Sequence, residues 1–126
     1  MPLVQQGRDK IAGLITGADT KVYGSTGAVL WVASSTEAHS PSSSWFAVSA
    51  CASTMEATYP LRSTNVLQFR GVYSTTQANF QWEEWGVADA TTTAGALLLN
   101  KAVQQALGVK ACTQTWQFTA CCTITT

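Results

Sequence analysis

Apolar and polar positions alternate most cleanly over residues 112–126. There Trp116, Phe118, Ala120, Cys122 and Ile124 fall on one face, and Thr115, Gln117, Thr119, Cys121, Thr123 and Thr125 on the other. A period of two marks a strand with one buried and one wet face, the habit of antiparallel sheets. Residues 65–73 repeat the pattern, with Leu67, Phe69 and Tyr73 opposed to Gln68 and Arg70. Residues 78–82 do so again, Ala78, Phe80 and Trp82 sharing one face, and residues 74–77 between them predict a hairpin loop. Residues 28–33 read as a compact apolar strand, and residues 45–55 as extended chain closed by Tyr59-Pro60. The intervening residues 34–44 form a polar surface loop. Residues 94–107 stay open: their composition suits a helix, while Leu97, Leu98 and Leu99 followed by Asn100, Lys101, Ala102 and Val103 suit a buried strand equally well.

The start of the chain follows another period. Val4, Ile11, Leu14 and Ile15 share one helical stripe, with Arg8, Asp9 and Lys10 mostly turned away. Gly7 and Gly13 weaken this helix and Gly17 stops it. It serves either as a cap on its own core or as an arm that docks on a neighbouring subunit. The expected fold is therefore mainly β, an antiparallel β-sandwich with a short N-terminal helix: residues 1–17 form the arm, residues 18–126 a single sandwich domain. Phe69, Phe80, Trp82, Trp116 and Phe118 are its expected core. Leu3, Val4, Ile11, Leu14 and Ile15, with Trp45 and Trp85, are the candidates for subunit contact.

Composition narrows the function. A chain of 126 residues carries seven Lys plus Arg against seven Asp plus Glu, so its formal net charge is zero. Binding nucleic acid needs excess cations to displace phosphate counterions, and docking on acidic lipid needs them too; neither partner is expected. Charged residues make up only 11%, so polarity here is carried by hydroxyls. The first residues lack the apolar stretch of a signal peptide, and no run nears the ~20 apolar residues that span a bilayer.

Chemistry finds little footing. Cys51, Cys112, Cys121 and Cys122 lack the spacing of a zinc site and read as free thiols. His39 is the one histidine, set among serines that nominate no triad. Glu83 and Glu84 resemble a glycosidase pair only on paper, because neighbours in a strand face opposite ways. Glu84 instead continues the apolar face of Phe80 and Trp82, where an unpaired carboxylate costs several kcal/mol. Either a bulge turns it outward or Arg62, Arg70 or Lys101 meets it. Trp45 and Trp85 are the tryptophans left for a surface, which keeps a sugar-stacking platform in view. The expectation is a protein that is not an enzyme, with no catalytic residue, cofactor or metal.

Tyr59-Pro60, residues 67–70 (LQFR), residues 78–87 (ANFQWEEWGV), Leu99-Asn100-Lys101 and Thr115-Trp116-Gln117 occur in an order that resembles a set of small tailed-bacteriophage virion proteins. The likeness spans most of the chain and is weaker before Tyr59. It implies a structural subunit assembled in the host cytoplasm and resident in the virion. The first form is a capsid cement or decoration protein, clamping the major capsid protein as a homotrimer. The alternative is a neck, tail or baseplate component contacting other virion subunits, and a carbohydrate-binding module is the third. The resemblance also favours a strand over residues 97–103.

Overall fold

The computed structural model describes residues 3–34, 50–91, 98–102 and 105–124. One helix opens the chain, α1 (Gln5–Thr16), followed by eight strands: β1 (Val29–Ala33), β2 (Ala50–Thr54), β3 (Leu61–Ser63), β4 (Val66–Tyr73), β5 (Gln81–Trp82), β6 (Glu84–Ala88), β7 (Gly108–Val109) and β8 (Trp116–Thr123). They form two three-stranded antiparallel sheets, β2-β1-β6 and β3-β4-β8, and a two-stranded ribbon, β5-β7. The two larger sheets face each other, with β4 packed on β1 and β2. The fold is a mainly β antiparallel sandwich with a short N-terminal helix.

The alternation in β4 and β8 explains their place. Phe69 and Tyr73 of β4 and Ala120 and Cys122 of β8 turn into the space between the sheets, while Gln117, Cys121 and Thr123 stay exposed. Opposite them stand Leu30 and Val32 of β1 and Trp85 and Val87 of β6. The Tyr73 hydroxyl crosses the gap to donate to the Leu30 carbonyl at 2.5 Å, giving the buried phenol its partner. Burial holds that phenol well above its usual pKa. Trp82 sits at the centre of an aromatic group, edge-on to Tyr73 (4.9 Å), Trp116 (5.0 Å) and Phe118 (5.8 Å).

β1 is buried along its whole length. Its alternate residues Val29, Trp31 and Ala33 pack on the sheet's other face with Val4, Ala88 and Leu98. This is why residues 28–33 read as one apolar run instead of an alternation.

Four expectations need correction. Residues 78–82 are not one strand: Ala78 takes a left-handed conformation (φ 54°), and the Phe80 amide turns back to the Ala78 carbonyl at 2.9 Å. Only Gln81–Trp82 is strand. The turn at residues 74–77 forms, with the Gln77 amide on the Ser74 carbonyl at 3.1 Å, but it is not a hairpin loop. β4 pairs with β3 and β8, and the chain after the turn leaves for the other sheet. Phe80, Trp116 and Phe118 are half-buried, so the sealed part of the expected core is Phe69 and Trp82. Lys10, expected to face water, is 3% exposed.

Residues 98–102 run antiparallel to β6, as a strand and not a helix. Trp85 bridges Ala102, and Ala88 bridges Leu98. Three residues of β6 advance against four of the partner, so one residue bulges. The Asn100 Oδ1 accepts the Val87 amide at 3.0 Å there, replacing a lost ladder bond. On the far side Leu3 bridges Asn100, which adds the first described residues to this sheet's edge.

Candidate functional site

α1 has little to hold it as an isolated helix. Val4 supplies no side-chain cap, and Gly17 ends it in the left-handed region (φ 82°). Its stability comes from docking. Gln6 Oε1 accepts the Leu98 amide at 2.6 Å, and the Gly7 Cα lies against the Leu99 carbonyl. Lys10 inserts between Asp19 (3.1 Å) and Asp89 (3.2 Å), with its Nζ 5.2 Å from the centre of the Tyr23 ring. The Asp19 carboxyl is held below its usual pKa, first by the Lys21 amide and then by Lys10. Burial, with Asp89 and Asp19 nearby, pushes the Tyr23 phenol well up. Nothing in the sequence flags this cluster, because its members are distant along the chain and Lys10 sits among polar neighbours.

The stripe expected to meet a neighbour is thus divided. Val4 is fully buried in its own domain and is no contact residue. Leu3 and Ile11 are half-buried against the core, and Leu14 is half-buried as well. Ile15, 81% exposed, is the one member left to water. Trp85 also fails as a surface residue: it is 9% exposed and packs edge-on to Phe118 at 5.9 Å. Its indole packs in the core cluster between the sheets, covered by Phe118. A sugar platform built on Trp85 is therefore absent. Trp45 and His39 lie outside the described residues.

One open edge lies on β8. It is the outer strand of its sheet, and among the described residues only β4 pairs with it. β8 has eight residues, and residues 111–126 contain no charge. β3, at the opposite edge of the same sheet, has three residues and carries Arg62. Beside β8, Leu107 is 39% exposed and shares a cleft with the half-buried Trp116. Leu107, Trp82, Trp116 and Phe118 line a shallow cleft there. The sequence carried the signal for this edge in the uncharged run, but strand order decides which strand is outermost.

The carboxylates settle into structural roles. Glu84 is fully buried with Lys101 Nζ 3.6 Å from its Oε2, so one of the three expected cations does meet it. Arg70 instead donates to the Thr119 hydroxyl at 2.7 Å and lies over the Tyr59 ring. Glu83 accepts from the Gln81 amide and from the Ala106 N–H at 3.2 Å, pinning residues 105–107 beside β5. Lys110, 1% exposed, holds the turn through the Ser74 carbonyl (2.5 Å) and Asn79 Oδ1 (2.7 Å). Among the described residues no three His, Cys, Asp or Glu gather where a metal ion would fit. No helix there is long and apolar enough to cross a membrane.

No family model, curated protein or solved structure matches the chain.

Proposed function

We propose that the protein is a non-enzymatic structural subunit of a bacteriophage virion, a cement or decoration protein that joins major capsid subunits at three-fold positions as a trimer. The observation that carries an assembly role is the open edge of β8. A long edge strand is a template for another chain, and proteins that stay apart blunt such edges with short strands, Lys or Pro. β3 is blunted in this way; β8 is long and uncharged. A strand from a neighbouring subunit adds to it through main-chain bonds, and the half-exposed Trp116 with Leu107 supplies apolar contact beside the new pair. Zero net charge lets like subunits crowd a shell without strong repulsion. The virion setting itself rests on the order of the Tyr59-Pro60, 78–87 and 115–117 motifs.

Placing charge on the edge tests this reading. Gln117→Lys with Cys121→Lys alters two exposed positions of β8. Purified protein carrying both changes should keep the far-UV circular dichroism of the parent and lose binding to capsid particles. Undiminished particle binding by the folded variant would refute assembly through β8. Copy number separates the two virion readings: a shell-filling number supports cement, and one ring's worth supports a neck or tail component.

A further inference from the structure

Where α1 crosses the end of the sandwich, the two sheets do not close on each other. They leave an apolar cavity of about 450 Å³, within the ~300–1,000 Å³ of ordinary small-molecule sites. Leu3 and Ile11 line it from the N-terminal segment, Leu67 and Phe69 from β4, and Leu99 from the strand beside β6. Ile124 borders it and is 56% exposed, so the cavity communicates with water.

Register gives this cavity its chemistry. Arg62 pairs with Leu67 across β3 and β4, and residues directly opposite in an antiparallel pair project to the same side. Leu67 packs on the core, and Arg62, itself exposed, stands on the same side at the cavity rim. Among the described residues it is the one charged side chain lining the cavity, and no carboxylate side chain lines it. Its described hydrogen-bond partner is the Thr64 carbonyl, 3.2 Å from Nη1. A guanidinium offers five donors in a planar fork that matches a carboxylate, so one carbonyl leaves most of that capacity unused. A charge on an edge strand can also deter pairing, but β3, at three residues, is already too short to invite it.

We infer that the cavity binds a small amphipathic carboxylate of the fatty-acid type, its acyl chain among Leu3, Ile11, Leu67, Phe69 and Leu99 and its carboxylate on Arg62. This inference stands independently of assembly through β8. An apolar occupant alone, such as a side chain from a second copy, makes no use of the charge that Arg62 sets at the cavity rim.

The test is calorimetric titration of the full chain with decanoate and, in parallel, with decanol. Decanoate should bind one per chain, and decanol about tenfold more weakly, the worth of a hydrogen bond to a charged group. Arg62→Gln, at an exposed position, should remove the preference for the acid. If that variant melts at a lower temperature than the parent, Arg62→Lys keeps the charge and must keep the preference. Three results would each overturn the inference: no binding of decanoate, equal affinity for acid and alcohol, or an acid preference that survives Arg62→Gln. Sedimentation as a dimer or larger that saturating decanoate does not change, with no heat of binding, would assign the cavity to a second copy instead. Neither ligand requires particle binding, so a failure here leaves the assembly reading untouched.

Discussion

Gly7 packs so closely on Leu99 that a Cβ at position 7 would stand 2.0 Å from the Leu99 carbonyl oxygen. The contact is backbone against backbone, and neither side can swing away. On an open helix, replacing glycine with alanine stabilises by about 1 kcal/mol. Here the sign reverses: Gly7→Ala should cost about 1–3 kcal/mol, the range for forced overpacking. Urea denaturation checks it. A Gly7→Ala protein as stable as the parent would show that α1 does not dock at this distance.

Lys10 makes the second anchor of the helix. Removing its ammonium leaves Asp89, whose side chain is 6% exposed, without the cation now 3.2 Å away. Breaking a buried pair from one side costs about 3–5 kcal/mol, so Lys10→Met should lower the melting temperature by roughly ten degrees or more, and an unchanged melting temperature would remove Lys10 from the anchor.

Acid should act on the same anchor. The Asp19 carboxyl is depressed in the folded state from its ordinary value of 3.8. The stability it contributes is present above that value and drains away as pH falls below it, through the folded-state value. Fluorescence-detected melts taken from pH 6 downward should therefore be flat until that range. Asp19→Asn should soften the acid limb, and an unchanged limb would remove Asp19 from the anchor.

Trp82 and Trp116 should separate under truncation. Trp82 is 2% exposed, ringed by Tyr73, Trp116 and Phe118, and its Nε1 donates to the Ala78 carbonyl at 3.0 Å. Trp82→Ala should cost about 3–5 kcal/mol, comparable to the whole stability of a small domain. Trp116 keeps one side in water, and Trp116→Ala should give a folded protein with a lower midpoint. Equal damage from both would show that Trp116 is sealed.

The thiols should react in a fixed order. Cys112 and Cys121 are exposed, Cys51 is half-buried, and Cys122 is buried. Burial pushes the Cys122 thiol up to about 12, so it stays protonated and a poor nucleophile at neutral pH. Timed alkylation of native protein, read by mass, should label Cys112 and Cys121 first and Cys122 only on unfolding. Because the raised value belongs to the folded state, this group's contribution falls as pH rises above its unfolded value of 9.0.

Much of this fold was legible along the chain because it depends on neighbours two residues apart. The two faces of β8 and the inward set of β4 follow from alternation alone. Gly17 ends α1 for the conformational reason its position suggested. What stayed hidden depends on crossings between distant segments. Ala78, Phe80 and Trp82 keep the spacing of a strand, yet the left-handed Ala78 breaks it so that the chain can leave one sheet for the other. Trp85 gave no local sign of burial, because its cover comes from Phe118 and from the segment that bridges at Ala102. Arg62 drew attention only as a partner for Glu84; its place at the cavity rim comes from its register with Leu67.

The pairing of β4 with β8 has a consequence for synthesis. Val66–Tyr73 leaves the ribosome well before Trp116–Thr123, its long partner, has been made. During that interval β4 has only the three-residue β3 paired with it, and Phe69 and Tyr73 lack the part of the core that β8 supplies. Topologies dominated by such distant pairings fold slowly and expose sticky surface while they wait. A nascent chain halted before residue 116 should therefore be bound by cellular chaperones, and one halted beyond residue 124 and clear of the exit tunnel should be released from them.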